Sequence, residues 1–104
     1  MTASRMLGDV LQEYHGEKRN GALFVAVKEK SDNLIRFFFQ NGEIRHVSYG
    51  QCSGKDCLEI IDCYEFTTAY FMKDMKAPAV SADLPPTPEI IDQFRKSGQT
   101  VMMQ

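Results

Sequence analysis

No apolar run in the chain exceeds a few residues, far short of the roughly 20 that a membrane-spanning helix needs. Nor is there an excess of one charge. The 12 Lys and Arg residues stand against 14 Asp and Glu, and the bases are scattered among the acids. Without a basic stripe to neutralise a phosphate backbone, nucleic-acid binding is disfavoured. Cysteine is sparse and odd in number: Cys52, Cys57 and Cys63 suit a reducing compartment better than a disulfide framework. Their C-x4-C-x5-C spacing lacks the paired C-x2-C of common zinc sites, and no histidine follows in register. Cys57 reads as a small apolar side chain, Cys52 as a loop residue and Cys63 as a helix end. The opening residues, Met1 to Asp9, reach an acid before the apolar stretch of a secretory leader could form, so a cytoplasmic location is expected. No internal repeat or low-complexity segment is visible.

Recognised catalytic patterns are missing too. Gly50 and Gly54-Lys55 suggest a phosphate loop, but three residues separate the glycines where four are needed. Asp56 also stands where a Ser or Thr would meet magnesium, and its carboxylate would repel phosphate. His46 lies mid-strand with no partner evident from the sequence. A thiol dyad of His46 with Cys52 or Cys57 carries no local signature of a cysteine hydrolase. His15 reads as a residue favoured at a helix C-terminus. The carboxylates are dispersed. No catalytic residue, cofactor or metal site is assigned, and the chain is expected not to be an enzyme.

What the sequence does contain is a strong turn signal. Asn41-Gly42 separates the alternating run Leu34 to Gln40 from Glu43 to Tyr49. Asn and Gly tolerate the positive φ angles of a type I′ turn, whose twist matches the flanking strands. In the first strand Ile35, Phe37 and Phe39 share the expected core face, with Phe38 and Arg36 opposite. Ala22 to Val27, continuously apolar, reads as a central strand before a turn at Ser31-Asp32-Asn33. A fourth strand is expected from Glu65 to Met72, alternating Phe66, Thr68, Tyr70 and Met72 against Thr67, Ala69 and Phe71.

Helical spacing supplies the remaining elements. Met6, Leu7, Val10, Leu11 and Tyr14 share one face of a helix from about Ser4 to His15. Ser53 reads as the N-cap of a second helix, with Asp56 bonding back and Cys57, Leu58, Ile60 and Ile61 apolar. Thr87-Pro88-Glu89 starts a third, with Thr87 as cap and Ile90, Ile91 and Phe94 inward. The expected fold is α+β: an antiparallel meander of about four strands, an N-terminal helix, a helix between strands three and four, and a C-terminal helix. By domain, residues 1–75 form the core, 76–87 a proline-rich linker, and 88–104 a helix packed on the same domain with a frayed tail.

The consecutive rings Phe37, Phe38 and Phe39 raise a surface question, because alternation sends Phe38 away from its neighbours. If helices cover only one sheet face, Phe38 lies exposed beside Tyr49 or Tyr70. If both faces are covered, it lies under the C-terminal helix or the linker. Arg36, Phe38 and Tyr49 are the candidate interaction surface.

Taken in order, Leu7-Gly8-Asp9-Val10-Leu11-Gln12, Asn20-Gly21-Ala22-Leu23-Phe24-Val25 and Ile35 through Ile44 around Asn41-Gly42 resemble the PatA N-terminus-like domain family. The match continues through His46-Val47-Ser48-Tyr49-Gly50, Gly54-Lys55-Asp56-Cys57-Leu58 and Phe66, so it covers about residues 4 to 74. The resemblance implies a non-catalytic bacterial signalling or interaction module. Such domains are often attached to response-regulator receivers, or encoded near small GTPase and roadblock-type proteins, and they offer no catalytic residues to carry over. The expected function is therefore protein–protein contact, with self-association into a homodimer as one form of it. A small-ligand sensor with a pocket between helix and sheet, lined by Phe37, Phe39 and Ile61, is the alternative. Neither nucleic acid nor membrane is an expected partner.

Overall fold

The computed structural model describes residues 4–28, 34–78, 80–81 and 83–103. Along the chain these form β1 (Ser4–Met6), α1 (Leu7–Gly16), β2 (Gly21–Val27), β3 (Leu34–Gln40), β4 (Glu43–Tyr49), β5 (Cys52–Ser53), α2 (Gly54–Ile61), β6 (Phe66–Lys73), α3 (Thr87–Ser97) and β7 (Thr100–Met103). The expected turn at Ser31-Asp32-Asn33 lies outside the described residues. The strands form one sheet in the order β1-β7-β6-β2-β3-β4-β5. Every pairing is antiparallel except β6 with β7.

The mixed α+β class and the three helices agree with the sequence reading, but four strands is an undercount. The additions β1, β5 and β7 have 3, 2 and 4 residues, too few to display alternation. β1 takes the residues expected to open α1, which starts at Leu7 instead. β7 takes the expected frayed tail: Val101 is 1% exposed, and the strand has partners on both sides. The proline-rich linker is not confirmed as a spacer. Ala77 packs against the sheet, Ser81 is hydrogen-bonded to β4, and Thr87 already belongs to α3.

All three helices pack on one sheet face. Leu7, Val10 and Leu11 of α1, Leu58 and Ile61 of α2, and Ile90 and Phe94 of α3 share a core with Leu23, Val25, Ile35, Phe37 and Phe39. The Phe94 ring meets Phe37 edge-on at 5.7 Å between centroids and lies 6.2 Å from Phe66. α1 and α3 approach closely at Gly8, where a Cβ would sit 2.8 Å from the Arg95 backbone nitrogen. Beside that contact Arg95 pairs with Asp9 at 3.4 Å.

Neither expected helix cap forms. Ser53 flanks α2 but makes no side-chain capping bond. Thr87 lies inside α3, after a cap position held by Pro86, and its hydroxyl serves a tertiary contact instead. It accepts from the Ile44 amide at 3.0 Å and donates to Glu43 Oε2 at 2.6 Å, tying the start of α3 to β4.

The Asn41-Gly42 turn has φ values of 52° and 84°, as a type I′ turn requires. Its tip is docked on the connection after α1. The Gly42 amide donates to Arg19 O at 3.0 Å, the Asn41 amide to Asn20 Oδ1 at 2.9 Å, and His15 Nδ1 to Gly42 O at 2.9 Å. Two residues along β4, the ladder slips: Phe38 pairs His46 while Phe39 pairs Ile44, leaving Arg45 as an extra residue. This bulge lets Ile44 enter the core while His46 turns to the opposite face.

Candidate interaction face

The sheet face away from the helices is only partly covered. Strand register lays out its rows. Tyr70, Phe24, Arg36 and Ser48 form one; Met72, Ala22, Phe38 and His46 form a second; Met102 and Thr68 belong to a third. Phe24 and Tyr70 stack at 5.0 Å with 15° between ring planes. The Arg36 guanidinium reaches back over Phe24, 5.9 Å from its ring centroid. Arg36 is the one formally charged residue in these rows.

The connection after β6 covers half of this face. Ala77 joins a small cluster with Ala22, Phe24 and Phe38. Ser81 donates its amide to Arg45 O at 2.9 Å, taking up a carbonyl at the bulge, and its hydroxyl lies 2.8 Å from His46 Nδ1. Beneath this connection is a groove of about 630 Å³, with Phe38, Gln40, Arg45, Met75 and Ala77 in its lining. The other half, over β6 and β7, is open: Tyr70 is 38% exposed, Met72 43% and Met102 44%.

The three sequence candidates are therefore separated. Arg36 is exposed on the helix-free face. Phe38 shares that face but lies buried under the connection, not under the C-terminal helix. Tyr49 points the other way, buried in the helix-side core with its ring 5.5 Å from Tyr64. Of the open residues, the sequence singles out Tyr70 beside Phe38, but not Met72 or Met102. The alternation expected in β6 signals Met72, but it also put Phe66 on the same side. An irregularity in the β2–β6 pairing, Val25 with Ala69 and Val27 with Phe66, turns Phe66 into the core.

A thiol dyad of His46 with Cys52 is not assembled. His46 belongs to the helix-free face, while Cys52 packs against the helix-side core, so the sheet separates them. Cys57 is fully buried, and burial, with the neighbouring Cys52 adding to it, pushes its thiol up to about 12, leaving it protonated at neutral pH. The start of α2, which suggested phosphate binding, is faced by the carboxylate of Asp83 against Gly54. Phe37, Phe39 and Ile61, the expected lining of a pocket between helix and sheet, are buried together in the helix-side core.

Burial lowers the pKa of His46 below its ordinary value, since the charged ring loses water and no carboxylate faces it among the described contacts. The native state therefore binds its proton less readily than the unfolded chain. Its contribution to stability is whole above the unfolded value, near 6.5, and is lost as pH falls through that value toward the folded one. Urea midpoints measured at pH 7 and pH 5 should fall further for the natural protein than for His46→Gln. Equal falls would show that burial leaves the ring's protonation unaffected.

No described helix is long and apolar enough to cross a membrane. Comparison with known proteins returned no matching family model, no matching curated protein and no matching solved structure.

Proposed function

We propose that the chain is a non-catalytic protein–protein interaction module of a bacterial signalling or regulatory system, and that it engages its partner through the open half of the helix-free sheet face. The observation that carries this reading is the exposure of Tyr70, Met72 and Met102 in successive rows of one sheet face, rows in which Arg36 is the one formal charge among the described residues. Large apolar side chains scattered singly over a surface need no explanation, but a contiguous set on one sheet face does. The separation of His46 from Cys52 and the protonated state of Cys57 support a non-catalytic role. The resemblance to PatA-like domains adds the signalling context, with a response regulator, a small GTPase or a roadblock-type protein as the class of partner and a homodimer as the alternative assembly.

Capture from the native cytosol with the natural protein and with Met72→Lys tests this. Met72 is exposed, so the variant should fold with stability within about 0.5 kcal/mol of the parent. The expected result is one stoichiometric protein retained by the parent and lost by the variant. Equal retention by both would overturn the assignment of this face.

A second reading has its own observation, the groove of about 630 Å³ lined by residues 74–77 and Val80, which is the size of a small-ligand site. It lies between the sheet and the connection, not between helix and sheet. On the sensor reading a metabolite would raise the melting temperature of the parent and not of Ala77→Trp, whose ring would fill the groove.

A further inference from the structure

Resting on the interaction reading above, we infer that the open half of the helix-free face accepts an amphipathic α-helix of a partner protein, one with a single carboxylate set beside its apolar stripe. The floor is apolar and adaptable: Tyr70, Met72 and Met102 are exposed, and methionine side chains repack readily around helical ligands. Its width suits one helix. In the row Thr68, Met102, Ser4 the strands β6, β7 and β1 lie side by side at about 4.8 Å spacing, so the strip measures about 10 Å there, the diameter of a helix with its side chains, and Tyr70 and Met72 continue it along β6. Ala77 closes the neighbouring half of the face over Ala22 and Phe24 and gives the strip one wall.

Charge chooses the partner. Arg36 springs from β3, yet its guanidinium is carried over Phe24 toward β6, at the margin of the strip. Among the described residues it makes no ion pair, and the rows around it (Tyr70, Phe24, Ser48, Met72, Thr68, Met102) contain no acid. A helix seated over β6 and β7 would bring its flank beside the guanidinium, where one Glu or Asp completes a charge-assisted pair. A second copy of this chain fits less well. The matching rows of its open strip hold no carboxylate among the described residues to meet Arg36. The exposed apolar area is on the order of a few hundred Å², below the roughly 800 Å² per partner of a standard interface.

The test uses the full chain and three synthetic helical peptides that share a Leu stripe and differ at one flanking position: Glu, Gln or Lys. Amide chemical shifts are followed during titration. The expected result is perturbation confined to Thr68–Met72, Met102 and Arg36, with the Glu peptide binding on the order of tenfold more tightly than the Lys peptide. Arg36→Glu, at an exposed position, should reverse that order while leaving the circular dichroism spectrum unchanged. Equal affinity for Glu and Lys peptides, perturbation elsewhere, or concentration-dependent shifts at the strip without peptide would overturn the inference, the last in favour of a second copy. If the peptides fail while Met72→Lys still abolishes capture, the helix is wrong and the face stands. If both experiments fail, the face itself is wrong.

Discussion

Gly42→Ala should destabilise the protein by about 3 kcal/mol, a large fraction of the 5–15 kcal/mol that holds a domain of this size together. Two separate costs add. Gly42 has φ +84°, a region that an alanine enters only with strain, at about 1 kcal/mol or more. In addition, a Cβ would lie 2.6 Å from the His15 carbonyl oxygen and 2.9 Å from the Lys18 Cα. Both are backbone atoms, so relief means moving the turn away from α1, and that movement breaks the hydrogen bonds from the Gly42 amide to Arg19 O and from His15 to Gly42 O. Gly98→Ala separates the two costs. Gly98 has φ +70°, yet a Cβ there would meet nothing within 4 Å, so about 1 kcal/mol is expected. Urea unfolding of both variants reads the difference directly. If they lose the same stability, the turn is not pressed against α1 and its role is local.

That turn was legible from sequence because its cause is local: two residues suited to positive φ between two alternating runs. The core face of β3 was legible for the same reason, since Ile35, Phe37 and Phe39 need only the period of a strand. The candidate surface failed where a single distant residue mattered. A two-residue hairpin without a bulge pairs Phe38 with Arg45 and so sends Val47 and Tyr49 to the Phe38 side. The extra residue at Arg45 shifts the ladder to pair Arg36 with Ser48, and Tyr49 turns into the core. The bulge in turn is met by Ser81, more than thirty residues away, through the Arg45 carbonyl. β1 and β7 were missed for a related reason. β1 pairs only with β7 among the described strands, β7 lies between it and β6, and pairing between segments this short and this far apart leaves no periodic trace in either. Met102 faces outward because Val101 and Met103 face in, so its place in the open strip becomes visible only when β7 does.

The largest loss is expected from Phe94→Ala, at about 3–5 kcal/mol, the usual cost of deleting a fully buried ring. Phe94 has no exposed surface and bridges Phe37 on β3 and Phe66 on β6 from the middle of α3. α3 has few substitutes for that anchor: Ile90 and Ile91 lie one turn earlier, the Thr87 hydroxyl holds only its start, and the Asp9–Arg95 pair is exposed and contributes little. A cavity at this point therefore loosens the C-terminal half of the helix, and β7 follows directly from it. Because β7 pairs with β6 on one side and β1 on the other, its loosening reaches the sheet edge that carries Met102. Hydrogen exchange should show the amides of Val101 to Met103 losing protection before those of β2 and β3 in this variant. Phe94→Leu, which keeps most of the volume, should lose about 1 kcal/mol and keep that protection. Phe94→Ala should also weaken partner binding without touching the partner, since the ring holds one side of the sheet while the open strip lies on the other. Unchanged exchange in β7 beside a full loss of global stability would mean that α3 and β7 unfold only with the whole domain, and partner affinity per folded molecule would then stay at the parent value.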